Sequence, residues 1–235
     1  MGVAFSPRAL RIVRYYPVFL DIKDRPCLVI GGGVVAQRKV LGLLSAGAQV
    51  TVISPRAGKG IMKLAGEGRI TLQKRAFTPG SLKGFALCFA ATDSIEVNEA
   101  VWREALKLGV PVNAVDDPAH CSFITPSVVD RGALTIAIST SGKSPALSRS
   151  IREKLESAIG AEYETLVEIL GAVRRKLLKT GLNRDKKESI IRDLVKSPLP
   201  GLIRAGEVRG INATLTTMLG KGYSLCLLGV KIKAR

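Results

Sequence analysis

The sequence of 235 residues lacks any feature of a membrane or secreted protein. It contains no uncharged apolar run of about 18 residues or more, so no membrane span is expected. The apolar stretch near its N-terminus is interrupted by Asp21, Lys23 and Asp24, which leaves no apolar segment of the kind that a secretory signal requires. The sequence therefore predicts a cytoplasmic protein that does not act on a membrane.

Histidine and cysteine are also scarce. His120 is the only histidine, and the cysteines, Cys27, Cys88, Cys121 and Cys226, stand far apart. One histidine cannot build a multi-histidine metal site, and separated cysteines form neither a C-x-x-C site nor a disulfide framework. We therefore predict no metal-binding residues.

Acidic residues are few beside basic ones: 19 Asp and Glu face 36 Lys and Arg, for a formal net charge of +17. Nucleic acid is the first partner that such a charge suggests. Aromatic residues make up only 5% of the chain, however, and no RNA-recognition or helix-turn-helix signature is visible. An acidic small molecule that is captured by a positive cleft is the alternative, and a merely basic tail is the third.

The most informative segment that is present is the run Gly31–Ala36. It follows an apolar, strand-like run, Cys27–Ile30, and it opens a segment whose apolar residues recur with a helical period. Gly47 stands where a helix would end, and a β-rich run, Gln49–Ile53, follows. This order of elements predicts a βαβ unit.

Within that unit the glycines fit the pattern G-x-G-x-x-A of a dinucleotide-binding turn. Gly31 would permit the tight turn, Gly33 would let the backbone approach a pyrophosphate, and Ala36 would let the helix pack closely on the sheet. The backbone amides of Val34 and Val35 would then face the phosphates at the positive end of the helix. The strand and helix context favours this interpretation over a glycine turn without a ligand.

The first half of the chain continues to alternate between strands and helices. Strand-like runs occupy Arg69–Phe77, Phe85–Ala91 and Val110–Val115, and a helical pattern occupies Ile95–Leu108 before Gly109. Apolar, β-branched strands that are separated by helices predict a parallel sheet that is covered on both faces. The expected fold class is α/β, with a Rossmann-type doubly wound sheet.

After Pro126 the pattern changes. Two strands are predicted at Ser127–Asp130 and Ala133–Ser139, followed by a helix that Ser144 caps and that runs to about Ala158. A pair of strands and one helix cannot bury both of their faces, so we expect this segment to pack against a second copy of itself.

Further helices are predicted at Tyr163–Leu178 and Ile190–Val195, before a break at Pro198–Gly201. The predicted organisation is thus a Rossmann domain at 15–126, a small α+β dimerisation domain at 127–160, a helical domain at 161–205 and a tail at 206–235 to which the sequence assigns no structure.

Candidate site residues follow the predicted strands, because ligands of an open doubly wound sheet lie beyond the carboxyl ends of its strands. Thr92 follows the fourth strand, and Asn113 and Asp116 end the fifth. Asp116 is the best candidate for proton transfer, since the end of a buried strand would desolvate its carboxyl group and raise its pKa; a turn or cap residue is the alternative. Ser122 and Phe123 are candidates for the mouth of the pocket.

The segment Ser139–Pro145 has the composition of a phosphate loop but lacks the spacing of one. We interpret it as an anion-binding turn at a helix N-terminus, with Ser141 and Ser144 as contacts for a substrate carboxylate.

Several of these segments together resemble a known family. In order and spacing, they are similar to the precorrin-2 dehydrogenase family, which includes the N-terminal modules of siroheme synthases, over about residues 15–160. The resemblance implies NAD-dependent oxidation of precorrin-2, an acidic tetrapyrrole, to sirohydrochlorin by an intertwined homodimer. In bifunctional members it also implies insertion of ferrous iron, and the sequence leaves open whether this chain has that activity. The segments that carry the resemblance are Tyr16–Asp21, Val29–Lys39, Ala90–Asp93, Asn113–Pro118, Ser122–Pro126 and Ser141–Leu147.

The resemblance also implies residue roles. Asp116 matches the catalytic aspartate of the family, and the pairs Val34–Val35 and Pro55–Arg56 match residues that contact the cofactor. Thr140 stands where some members carry a phosphorylatable serine beside the substrate. The threonine at this position leaves that regulation open.

One departure concerns the cofactor. Ser54 stands where many NAD enzymes place an acidic residue on the ribose. Its hydroxyl can donate to the ribose, whereas Arg56 leaves NADP open as an alternative to NAD. Two other functions also remain open: a non-catalytic dinucleotide sensor and a basic nucleic-acid-binding protein.

Overall fold

A computed structural model describes residues 14–232. The chain divides between Thr125 and Pro126 into two compact units. Among the described residues, no helix is both long enough and apolar enough to cross a membrane.

The first unit contains a parallel sheet of five strands in the order β3-β2-β1-β4-β5. The order reverses beside β1, as it does in Rossmann-type folds. The predicted fold class is therefore confirmed. The strands are β1 (Pro26–Ile30), β2 (Gln49–Ile53), β3 (Thr71–Gln73), β4 (Leu87–Ala90) and β5 (Val112–Ala114), and the helices are α1 (Val34–Ser45), α2 (Lys59–Gly66) and α3 (Ile95–Leu108).

The central strands of this sheet, β1 and β4, are buried on both faces. In β1, Cys27 and Val29 point into a core with α1 and α2, whereas Leu28 and Ile30 point into a second core with α3. Alternate residues of a strand face opposite sides, so two apolar layers require the continuous apolar run that the sequence shows.

Three strands of this sheet are shorter than their patterns predict. The run Phe85–Ala91 forms a strand at Leu87–Ala90, and Val110–Val115 forms one at Val112–Ala114. The run Arg69–Phe77 forms a strand only at Thr71–Gln73, at the edge of the sheet. The chain turns at Arg75, whose side chain donates hydrogen bonds to the Gln73 side chain at 3.0 Å and to the hydroxyl groups of Thr78 and Ser81. These local side-chain bonds stabilise the turn that follows the strand.

The second unit begins with a hairpin of two antiparallel strands, β6 (Ser127–Arg131) and β7 (Leu134–Ile138). Gly132 makes the turn with a φ of +64°. The helix α4 (Pro145–Ala158) follows, and the Ser144 hydroxyl caps it by accepting from the Leu147 amide at 3.2 Å. The hairpin and the helix occur as predicted.

A cluster of helices completes the second unit. Their apolar side chains, including Ile169, Leu194 and Leu215, form a common core. The helices are α5 (Glu162–Leu178), α6 (Arg184–Val195), α7 (Leu199–Ala205), α8 (Val208–Leu219) and α9 (Leu225–Leu228).

Three predictions for this cluster were wrong or incomplete. The helix predicted to begin at Ile190 begins at Arg184, because the Asn183 side chain caps it by accepting from the Lys186 amide at 2.9 Å. The predicted break at Pro198–Gly201 is the first turn of α7, where proline is tolerated. The unassigned tail contains α8 and α9.

Candidate functional site

Three consecutive glycines connect β1 to α1, and the first two are required by the protein itself. Gly31 has a φ of +123°, and a Cβ atom there would lie 2.1 Å from the carbonyl oxygen of Ala91. A Cβ atom at Gly32 would lie 2.0 Å from the carbonyl oxygen of Arg56. The turn therefore packs directly against the ends of the neighbouring strands.

Gly33 differs from both. Its φ of −81° is open to any residue, and a Cβ atom there would meet no atom within 4 Å. Gly33 is also the N-cap of α1. Because glycine has no side chain, it makes no capping hydrogen bond to the first backbone amides of the helix. Val34 is 74% exposed beside it. This open, positive helix end fits a phosphate group.

The segment after β2 lies against this turn. Ser54 is buried, and its hydroxyl donates to the carbonyl oxygen of Arg56 at 2.6 Å. In this structure the Ser54 proton serves the loop, and contact between Ser54 and a ribose stays a prediction. Pro55 and Arg56 are exposed and remain available to a ligand.

Thr92 follows β4 and is held by a residue that the sequence analysis did not single out. The Thr92 hydroxyl donates to Oδ1 of Asn98 at 2.8 Å, and Nδ2 of Asn98 donates to the carbonyl oxygen of Thr92 at 3.0 Å. Asn98 could have been found from the sequence, because asparagine is a poor helix former and its presence inside α3 indicates a specific partner.

Asp116 lies two residues beyond β5, at the carboxyl edge of the sheet. Its φ is +61°, in the left-handed region that non-glycine residues seldom adopt. The side chain is exposed, so the expectation that burial would desolvate it was wrong. The reason is that β5 ends at Ala114 and the chain turns outward. A strained residue of this kind is a candidate functional position.

The loop after Asp116 is fastened back onto the sheet by three predicted site residues. Nδ2 of Asn113 donates to the carbonyl oxygen of Phe123 at 2.9 Å. The Ser122 hydroxyl accepts from the Val112 amide at 2.7 Å, and the Phe123 ring packs edge-on against Phe89. The structure thus gives Asn113, Ser122 and Phe123 a positioning role, and their contact with substrate stays a prediction.

Two further groups in this loop interact locally. His120 hydrogen-bonds to the Asp117 carboxylate and packs against Trp102, with ring centroids 4.4 Å apart and the ring planes tilted by 59°. The hydrogen bond with His120 lowers the pKa of Asp117. Burial raises the pKa of Cys121, whose thiol donates to the carbonyl oxygen of Ala114 at 3.1 Å.

Lys39 is a second residue that the sequence analysis did not single out. It extends from α1, and its Nζ donates to the Thr125 hydroxyl at 3.1 Å and lies 5.1 Å from the centroid of the Phe89 ring. Burial lowers its pKa, as does the nearby charge of Arg38, while Cys121 and Asp116 act in the opposite direction. Its contact with Phe89 follows from how α1 packs on β4, which the sequence alone does not show.

In the second unit, the predicted anion-binding turn uses most of its polar groups internally. The Thr140 hydroxyl donates to the carbonyl oxygen of Ser144 at 3.0 Å and accepts from the buried Ser148 hydroxyl at 3.2 Å. Ser144 caps α4. Ser141 has a φ of +54° and is exposed. Contact between this turn and a substrate stays a prediction.

Metal ligands are not clustered in the part of the chain that the structure describes: residues 14–232 contain no group of three or more His, Cys, Asp or Glu side chains that could hold a metal ion.

Known proteins resemble both units. Residues 18–127 match the model of a family described as NAD(P)-binding, and residues 131–158 match that of the sirohaem biosynthesis protein central domain. The siroheme synthase of Methylobacillus flagellatus is 49% identical over 150 residues, which are 64% of this chain and 32% of that protein. Siroheme synthase 2 of Aeromonas salmonicida is 40% identical over 211 residues, 89% of this chain and 44% of that protein. The chain thus spans less than half the length of these relatives.

A solved structure is similar as well. SirC, a precorrin-2 dehydrogenase, superposes with a TM-score of 0.68 and 26% sequence identity, and the match covers 79% of this chain and 92% of that one.

Proposed function

We propose, from the premise that the chain belongs to the family of precorrin-2 dehydrogenases and siroheme synthase N-terminal modules, that it oxidises precorrin-2 to sirohydrochlorin with NAD. The observation that carries this proposal is the arrangement at the carboxyl edge of the first unit's sheet. An open glycine at the N-terminus of α1 and an exposed carboxylate after β5 lie at the same edge. Ligands of such sheets bind there.

The cofactor contacts that we assign follow from that edge. Gly31 shapes the turn, Gly33 leaves space for the pyrophosphate of NAD, and the amides of Val34 and Val35 would hold that pyrophosphate. Pro55, Arg56 and Thr92 follow the neighbouring strands, and Ser54, whose hydroxyl holds the loop at Arg56, is assigned to the ribose. When bound, NAD supplies an acceptor for a hydride.

Asp116 is the proposed base for the same reaction. Loss of a hydride from the tetrapyrrole leaves a proton to be removed, and a carboxylate of Asp116 can accept it. Its exposed position leaves room for a substrate against it, and that substrate would exclude water from the carboxylate. The loop fastened by Asn113 and Ser122 fixes the backbone on which Asp116 stands.

The strong positive charge of the chain suits this substrate. Precorrin-2 carries several carboxylates, and a formal net charge of +17 would raise the rate at which an acidic ligand is captured. Phe123, Thr140, Ser141 and Ser144 complete the residues that we propose as substrate contacts.

We also propose that the protein is a cytoplasmic homodimer. The segment of β6, β7 and α4 leaves apolar side chains uncovered within a single chain, including Leu147 at 52% and Val128 at 40% exposure. A second copy of the same segment would cover them, since a twofold interface is self-complementary.

An anaerobic assay of the purified protein with precorrin-2 tests the proposal. We expect sirohydrochlorin and NADH to form in equal amounts, with NAD a better cofactor than NADP. Binding of NAD without any turnover would contradict the proposal and identify a sensor. Retention on DNA that falls steeply with salt would instead favour a nucleic-acid-binding protein.

Addition of ferrous or cobaltous ion to the product tests a second activity. Because the family's aspartate serves both reactions in bifunctional members, we propose that Asp116 also takes part in ferrochelatase, that is lyase, chemistry. Metal insertion that requires Asp116 would support this, and insertion at the uncatalysed rate would contradict it.

A further inference from the structure

The ammonium group of Lys39 is partly withdrawn from water without an ion-pair partner. Among residues 14–232, no carboxylate oxygen lies within 4.0 Å of it, although seven other ion pairs are formed. Thr125 is its one hydrogen-bond acceptor in that range. A cation that is partly shielded from water gains more from an anion than one in open solvent does, so this position is suited to an anion that arrives with a ligand.

The surroundings of Lys39 restrict where that anion would lie. The Phe89 ring face supports the ammonium from one side, with its centroid 5.1 Å away, and Thr125 holds it from another. Phe89 is in turn packed edge-on against Phe123, which Asn113 ties to β5. The Phe89 ring beneath the cation is therefore held in place by contacts of its own within the first unit.

The nearest carboxylate on the same edge does not neutralise Lys39. Burial and the charge of the preceding Arg38 lower the pKa of Lys39, whereas Cys121 and Asp116 each raise it by less. Asp116 acts on Lys39 without forming an ion pair with it, so a ligand carboxylate could still pair with the ammonium beside Asp116.

We propose that Lys39, held by Thr125 over the Phe89 ring, is the receptor for one carboxylate of the tetrapyrrole beside Asp116. The proposal rests on the proposed function for the identity of the ligand. Lys39 would then orient the macrocycle so that a chosen carbon faces the base, which makes it a determinant of specificity for acidic tetrapyrroles.

Equilibrium binding of sirohydrochlorin under anaerobic conditions tests this assignment independently of turnover. Lys39→Met keeps the apolar stem and removes the charge, and we expect it to weaken sirohydrochlorin binding roughly tenfold while NAD binding changes less than about twofold. Lys39→Arg should retain most of the affinity. Thr125→Val, which keeps the charge but frees the ammonium, should weaken binding by a smaller factor of about three.

Lys107→Met is the matched control, because Lys107 is exposed in the last turn of α3, at the opposite edge of the sheet. It removes the same charge and should leave the affinity unchanged. If Lys39→Met binds sirohydrochlorin as tightly as the wild type, or loses only NAD affinity, the assignment is overturned. Failure of the wild-type protein to bind sirohydrochlorin would instead contradict the proposed function.

Discussion

The five-stranded sheet and the segment of β6, β7 and α4 differ in how completely their apolar side chains are buried. Every residue of β4 and all but the first residue of β1 are buried, because helices cover both faces of the sheet. In β7, by contrast, half-buried and exposed residues alternate, and α4 buries only Ser148. The first region completes its core within one chain, whereas the second does not.

Under the proposed function, this difference would separate ligand binding, in the first unit, from dimerisation through the segment of β6, β7 and α4. A sheet that is complete by itself can leave a strained residue and an open glycine at its edge, since neither contributes to its core. A hairpin and helix with uncovered apolar faces gain stability by association. We therefore expect substitutions in the two regions to separate ligand binding from dimerisation.

The largest effect should come from Gly33→Asp. The substitution places a side chain and a negative charge where the cofactor pyrophosphate would lie, so NAD affinity should fall by roughly 3 kcal/mol, or more than about 100-fold, while the dimer persists. Titration calorimetry with NAD measures the loss.

Two glycine variants serve as controls for this prediction. Gly42→Asp adds the same charge at an open position of α1 and should leave NAD affinity unchanged. Gly31→Ala should destabilise the fold itself, since its Cβ atom would meet Ala91. Normal NAD binding by folded Gly33→Asp would contradict the assigned cofactor site.

An intermediate effect should follow from Leu147→Asp. A charge on the exposed apolar side chain of α4 should weaken dimerisation by about 2 kcal/mol while NAD affinity is unchanged. Sedimentation equilibrium measures the association constant. Val195→Asp, on an exposed apolar residue of α6, is the control and should leave the dimer intact. A wild-type protein that is monomeric at micromolar concentration would remove the contrast between the two regions.

The smallest effect should come from Asp117→Asn and should depend on pH. The hydrogen bond with His120 lowers the pKa of Asp117, so its carboxylate stabilises the fold above the unfolded value of about 4, and this contribution is lost as the pH falls through the lower folded value. The variant should therefore have a lower Tm at neutral pH, and its Tm should fall less on acidification than that of the wild type.

Thermal melts between neutral pH and the folded pKa of Asp117 measure the difference. Asp93→Asn, on an exposed carboxylate, is the control and should leave the pH dependence of the Tm unchanged. Parallel curves for Asp117→Asn and the wild type would contradict the stated role of His120.

The sequence predicted the fold best where the apolar period of a segment and the capping residues at its ends indicate the same element. The glycine turn, α1, and α3 with its end at Gly109 follow from apolar period and capping residues alone. The helices beyond Pro198 were missed because glycines at 206, 210 and 220 interrupt a period that only the packing of Ile211 and Leu215 makes evident.

Individual site residues were harder to predict than the edge on which they lie. A turn at Asp116 was only one of two alternatives in the sequence, and the loop contacts of Asn113 and Ser122 could not be predicted, because they depend on how the chain returns after β5. Lys39 binds Thr125, which is distant in the sequence. Asn98 binds Thr92, which is nearby, but only the side-chain geometry shows that the two residues are bonded.

The measurement that tests the central claim most directly is turnover of precorrin-2 by Asp116→Asn beside His120→Ala, under anaerobic conditions with NAD. Asparagine is nearly isosteric, tolerates the left-handed backbone and cannot take the proton, so Asp116→Asn should bind NAD and dimerise normally while kcat falls about 100-fold or more. His120→Ala should keep most of the activity. Normal turnover by Asp116→Asn together with an inactive His120→Ala would contradict the account and make Asp116 a turn residue only.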